Sequence, residues 1–448
     1  MHPAARQIAR VSPWLRIGAQ RSALTLTIGL MGMVTAPAQS LPDYELPPIN
    51  YSATEPSNRV NQIESRLVGG ALDLRGPDDR ETLRRCLAAM GVSPDTQVMV
   101  FSKTSLQRQR ISPPTPRAIY FSDDCYMGWV PGGLIEVALS DPRLGMAFYH
   151  IDPRDPARPI HFERDADCLA CHAASLTRNW PGLIVRSVFT DDRGEPITSA
   201  GGFLIGHESP LAERWGGWYV TGRHGQDRHL GNATAVEHGR EVTIDREAGA
   251  NLTNLTRFFK PDRYRAGDSD IVALMILEHQ VGMHNRLIEG ALRVRKWTHY
   301  QESLRKELGE APTAEPTGTA QRVIDGEAKR IVEHLLFATE VALKDGGIQG
   351  SPRFPPAFRA NRRVDAHGRS LKDLDLRTRL FTYRCSYMIY SEAFEYLPPA
   401  LKTRIASLLH EGLTAANPPA PFQHLPAPER QAIREILIAT KPDLAAAL

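Results

Sequence analysis

Cys168, Leu169, Ala170, Cys171 and His172 form a C-x-x-C-H run. Two thiols at this spacing can form thioethers to the two vinyl groups of one haem, and the adjacent imidazole then reaches the iron. The same residues could serve as a redox dithiol or as half of a zinc site. A dithiol of the thioredoxin kind wants a strand before it and a helix after it. The approach here is Pro- and charge-rich instead, Asp152-Pro153-Arg154-Asp155-Pro156 followed by Glu163-Arg164-Asp165. A zinc site wants a second ligand pair at short spacing, and the sequence holds no second C-x-x-C. The spacing therefore predicts one covalent haem c on Cys168, Cys171 and His172, with His172 as the proximal iron ligand.

The group opposite His172 decides the chemistry. A small cytochrome c places a methionine some tens of residues after the motif, but here the first is Met275. Histidines come sooner: His207, His224, His229 and His238. In the loop Gly222–Asn232, glycines flank His224 and His229, so either imidazole could approach a flat ring from a turn. A second candidate lies further on, where Met275, His279 and Met283 share one helical face at i, i+4, i+8. His229 and His279 are thus the distal iron candidates, with His224 beside the cofactor; plain loop and core roles compete for each. Arg178, Arg186, Arg214 and Arg228 are close enough in sequence to meet haem propionates. Catalytic residues are not assigned by this reading.

The elements that must position these groups change character along the chain. Arg80–Met90 has helical apolar spacing, and Gln97–Phe101 reads as a strand. Ala118–Phe121, Leu134–Leu139, Met146–Ile151, Leu183–Phe189, Pro196–Ser199 and Trp215–Thr221 are short strand-like runs, with a hairpin turn at Asp191-Asp192-Arg193-Gly194. From Asp268 or Ser269 as cap, Ile271–Arg295 reads as a helix. A second helix is expected over Gln321–Lys344, a third from a capping box at Ser370–Asp373, and two short ones at the end. The expectation is an α+β fold: a β-rich c-type haem region followed by a mainly helical C-terminal half. Its segments would be 1–38 a signal peptide, 39–116 an N-terminal arm with a small α/β segment, 117–265 the β-rich haem-binding region and 266–448 the helical region.

The leader carries Arg6, Arg10, Arg16 and Arg21, an apolar run Ala23–Val34 and a small-x-small site Ala36-Pro37-Ala38. Twelve apolar residues are too few for a span, which needs about 20. This predicts export, so a periplasmic or extracellular protein with no integral membrane span in the mature chain. Haem is attached through thioethers on that side of the bacterial inner membrane. The full chain of 448 residues has 54 Lys and Arg against 51 Asp and Glu. Loss of the four leader arginines leaves a balance near neutral, which argues against nucleic acid as a partner. Cys86, Cys125 and Cys385 are left over, and the spacing allows one disulfide with one thiol or three buried thiols.

Several phrases beyond the pentapeptide carry a likeness: SLPDYELPPINYS, VFSKTSLQRQRISPPTPRAIYFSDD, GWVPGGLIEVALSDPRLGMAFY, RWGGWYVTGRHG, LEHQVGMHN and RLFTYRCSYMIYSEAFEYLP. Together they resemble exported bacterial cytochrome c domain-containing proteins that have a single C-x-x-C-H and no assigned reaction. The resemblance implies c-type haem, metal binding and electron-transfer capacity at Cys168, Cys171 and His172, and supplies no substrate. Three roles follow as expectations. One is a carrier with a six-coordinate iron that serves a periplasmic redox partner protein. Another is a haem-dependent oxidoreductase or peroxidase-like enzyme with an open or displaceable distal site. The third is a haem-based sensor. A carrier needs only about 100 residues, so the chain length favours the second, but the carrier is the preferred expectation by a narrow margin because electron transfer is common to the first two.

Overall fold

The computed structural model describes residues 41–448 apart from 240, 314 and 345. The expected signal peptide lies outside the described residues. Helices α1 (Arg59–Val68) and α2 (Asp79–Ala89) are followed by β1 (Val98–Val100), β2 (Arg117–Phe121), β3 (Cys125–Trp129), β4 (Ile135–Asp141), β5 (Gly145–Ile151) and β6 (Glu163–Arg164). One helical turn, α3 (Leu169–His172), carries the C-x-x-C-H histidine. Then come β7 (Arg186–Val188), β8 (Gly202–Leu204), β9 (Trp218–Tyr219), β10 (Ala235–His238) and β11 (Glu241–Ile244). The remainder is helical: α4 (Ile271–Glu307), α5 (Gly318–Leu335), α6 (Phe354–Phe358), α7 (Glu392–Glu395), α8 (Pro399–Thr414), α9 (Ala427–Thr440) and α10 (Pro442–Ala445).

Seven strands form one antiparallel sheet in the order β6-β5-β4-β3-β2-β1-β9. Strands β2 to β5 are neighbours through turns and short loops, longer segments lead in from β1 and out to β6, and β9 returns from far downstream to pair with β1. Side chains alternate between faces, so the register assigns them. Ala138 lies opposite Phe148, and Glu136 opposite His150; with Tyr126 and Ser140 they share one face. Helix α4 lies on that face: His284 Nδ1 is 2.7 Å from Tyr126 Oη and Nε2 is 3.2 Å from Ser140 Oγ. The N-terminal arm and α1 close the other face, where Asn58 Nδ2 donates to Tyr149 Oη at 3.0 Å.

The fold is thus mixed, with the sheet in the N-terminal half and helices after it. One buried apolar cluster runs from Tyr44 to Leu448 and unites both halves. Helix α4 is buried on every side over Ile271–Val281, as a helix through the middle of a core must be. Asp270, rather than Asp268 or Ser269, caps it by accepting from Ala273 N at 2.9 Å. The second helix stops at Leu335, nine residues early. No helix opens at Ser370: the Asp373 carboxylate takes the Ser370 N–H, and the segment turns back. The side chains of Ser370 and Asp373 stabilise a turn as well as a cap. Strand β7 pairs with β8 rather than with Pro196–Ser199, which contributes only the Thr190–Pro196 bridge. Strand β3 and helix α1 were not anticipated. Cys86, Cys125 and Cys385 are buried free thiols, which settles the cysteine alternatives. Among the described residues, no helix is long and apolar enough to cross a membrane.

Candidate functional site

The motif sits on a loop between β6 and β7 that crosses the α4 face of the sheet. Cys168 ends a turn and is half-buried, while Cys171, three residues on, is exposed. His172 lies against Phe148 of β5, ring centres 4.8 Å apart. Its Nδ1 donates to the Gly182 carbonyl at 2.8 Å. That bond fixes the tautomer and leaves the Nε2 lone pair for another partner, the arrangement that orients metal-binding imidazoles. Burial holds the His172 pKa below its ordinary value, partly offset by this bond, so the ring is neutral near pH 7.

The Gly182 carbonyl is itself held in place. Asn285 of α4 accepts from Leu183 N and donates to Leu183 O, both at 2.8 Å. A Cβ at residue 182 would lie 2.6 Å from Asn285 Oδ1, so the close approach requires glycine there. On the sheet beside the motif, Ala138 and Ile119 remain partly exposed although both sit on inner strands. The Arg117–Glu136 ion pair flanks them. An apolar face left open next to two accessible thiols and a neutral imidazole suits a flat apolar group with charged edges.

The alternatives at the motif fare worse. Burial pushes the Cys168 thiol up to about 12, opposite to the depressed value of a reactive dithiol. The sheet is antiparallel, and α3 is a single turn, so no βαβ unit precedes or follows. Zinc finds no support either. Among the described residues, the group of three donors within 4.8 Å of one another is His207, His279 and His334, which excludes the cysteines.

The predicted distal residues lie elsewhere. His224 donates from Nδ1 to Asp227 O at 2.8 Å and accepts at Nε2 from Asn251 N at 2.9 Å, so its own loop uses both nitrogens. That corrects its proposed place beside the cofactor. His229 accepts at Nδ1 from Gly231 N, and its buried Nε2 has no partner. Its ring packs on Trp215 and His224, and burial pushes its pKa down to about 3. His279 pairs at Nδ1 with His207 and at Nε2 with Ser386 Oγ. Its two faces lie against His334 and Phe337, so the ring is enclosed by core groups rather than by the motif. No ring contact or hydrogen bond among the described residues joins His224, His229 or His279 to His172. The structure therefore does not gather the predicted ligands into one place.

The arginines divide too. Arg214 is buried on Glu278 and the Ser209 and His207 carbonyls. Burial pushes the Glu278 carboxyl up to about 8, against the pull of Arg214. Arg228 is occupied by Glu247 and carbonyls of its own loop. Arg178 stands nearer the motif, exposed and 3.2 Å from Glu289. What the sequence did not reveal is Asn285, which braces the motif from over a hundred residues away. Its position six residues after the buried His279, on a helix with no solvent face at its start, was the available signal. Compared with known protein families, with curated proteins and with solved structures, the chain matches none.

Proposed function

We propose that Cys168, Cys171 and His172 carry one haem c, and that the protein transfers single electrons with a redox partner outside the cytoplasm. The observation that supports this best is His172 itself: a half-buried imidazole whose Nδ1–H is committed to Gly182 O and whose pKa is held below its ordinary value, beside two free thiols three residues apart. When bound, such a group supplies a one-electron couple whose potential is set by its ligands, hydrogen bonds and burial. The chain's part is positional. Gly182 O and Phe148 fix the His172 ring, Asn285 fixes the Gly182 loop, and Ile119 with Ala138 offers an apolar wall. Arg178 and Arg117 are the nearby cations for carboxylate edges.

A second reading, a haem enzyme or sensor with a displaceable distal position, draws support from one observation. His224 and His279 have both nitrogens engaged, and neither they nor His229 touch His172. Expression in a host able to attach haem c, then mass spectrometry after denaturation, tests the first proposal. One haem should remain bound to the tryptic peptide containing 168–172. A bare peptide from that host overturns it. Ferrous spectra with and without carbon monoxide divide the two readings: a spectrum unchanged by the gas supports a carrier, and a shifted one supports the exchangeable site.

A further inference from the structure

Three histidines from distant parts of the chain meet in the core, outside the haem motif. His207 lies on the loop after β8, His279 in the middle of α4, and His334 in the last turn of α5. All three are buried, and one nitrogen of each lies within 4.8 Å of the others. Burial holds each pKa below its ordinary value, so three lone-pair donors converge without charge.

The ring-centre separations are those of cis ligands on one ion, while the His279 and His334 planes lie within 9° of parallel, so His334 must turn about its side-chain bonds to aim its lone pair at an ion held by the other two. A Zn–N bond of 2.0–2.1 Å puts each ring centre about 3.1 Å from the metal, so ligand angles between square and tetrahedral separate the centres by about 4.4 to 5.1 Å. The observed separations are 4.2 Å for His207–His334, 5.0 Å for His207–His279 and 5.2 Å for His279–His334. Two donor atoms already face each other, His207 Nδ1 and His279 Nδ1 at 2.8 Å.

The second nitrogens have the outer partners that metal-binding imidazoles use. His279 Nε2 is 2.7 Å from Ser386 Oγ, and His334 Nε2 is 3.4 Å from the His279 carbonyl. His207 Nε2 has no hydrogen bond and faces the Glu208 carboxylate at 4.0 Å. Phe337 covers one side, its ring 4.8 Å from His207 and 4.2 Å from His279. The close approach of His334 depends on Gly282, where a Cβ would lie 2.9 Å from His334 Nε2.

We infer that His207, His279 and His334 form a three-imidazole site for a late first-row divalent ion of the zinc and copper class, with Ser386 orienting His279. Neutral imidazole suits these ions, and three protein ligands leave a fourth position for water or a small substrate. The site shares no residue with the haem proposal and stands if that proposal fails.

The test uses the full chain as isolated, after dialysis against a chelator. Zn²⁺ is titrated in competition with a chromophoric chelator, and Cu²⁺ is added to a second sample for electron paramagnetic resonance. One Zn²⁺ per chain is expected. His207→Ala and His334→Ala should each weaken it at least a hundredfold, and Ser386→Ala should weaken it ten- to a hundredfold. Copper should show coupling to several nitrogens. Gly282→Ala, which retains all three ligands, should also lower affinity by moving His334. His229→Ala, a buried histidine outside the group, should change nothing. Zinc affinity equal in the parent and both ligand variants overturns the site, as does a copper spectrum with oxygen ligation alone. The parent's copper spectrum decides the matter even where a variant fails to fold.

Discussion

Asn285 gives the sharpest test of how the haem motif is held. Its side chain makes two hydrogen bonds to one residue, Leu183, whose side chain is buried. Each is worth about 1 kcal/mol net, and a backbone group left unpaired in a buried place costs about 1–3 kcal/mol. Asn285→Ala should therefore destabilise the protein by about 2 kcal/mol if water reaches Leu183, and by about 4 kcal/mol if it does not. Asn285→Asp retains the acceptor for Leu183 N but loses the donor to Leu183 O, so its loss should be the smaller. The assay is urea unfolding of haem-loaded protein, with parent and variants compared at equal slope. The second readout rests on the proposed haem: where it is attached, its reduction potential should shift as the Gly182 carbonyl loosens its hold on His172. A midpoint within about 0.5 kcal/mol of the parent together with an unmoved potential would refute the brace.

The remaining predictions concern the core and its ionisable groups. Arg214→Ala leaves Glu278 buried without its partner and should cost about 3–5 kcal/mol, whereas Arg214→Met with Glu278→Met should recover most of that; thermal melts of the parent and these two variants check it. Acid should weaken the fold through His229. Its folded pKa of about 3 lies below the unfolded value near 6.5, so the stability from burying the neutral ring is full above pH 6.5 and erodes as pH falls toward 3. In melts across that window, His229→Gln should show a shallower decline than the parent, and equal slopes would count against a neutral buried ring. Alkylation of the native protein should leave Cys86 and Cys125 unmodified, since burial pushes both thiols up to about 12; peptide mapping before and after unfolding reads the difference. Gly412→Ala sets a Cβ into the Phe422 ring and should cost about 1–3 kcal/mol as overpacking, measured by the same melts.

Much of the scaffold was readable because its elements have strong local periods. Strand β4 alternates inward and outward residues over its first half, β5 is a short apolar run bounded by Gly145 and Asp152, α2 stops at its glycine, and α4 carries apolar residues at every turn. Strand β3, Cys-Tyr-Met-Gly-Trp, was missed because it is buried on both faces, so it has no alternation to detect. The false helix at Ser370 came from a signature that turns share with caps. The motif could be read locally because it occupies five consecutive residues, and the haem it would carry stands as a proposal. The histidine cluster was not, since 72 and 55 positions separate its members. His334 did leave a trace: it falls on the apolar stripe of α5 beside Ile331 and Leu335, where a polar ring needs a reason. His279 attracted notice for a stripe of methionines that turned out to be ordinary filling for a helix enclosed on all sides.

Closure of the sheet by β9 bears on the order in which the molecule assembles. Strands β1 to β6 are neighbours in sequence order and can pair as a meander, with short loops from β2 to β5 and longer ones at its two ends. The seventh place waits for residues 218–219, synthesised some fifty positions after the cysteine pair. Until Trp218 and Tyr219 pair with β1, the segment that bears the two thiols is joined to the sheet at β6 alone; once they pair, it is anchored at both ends.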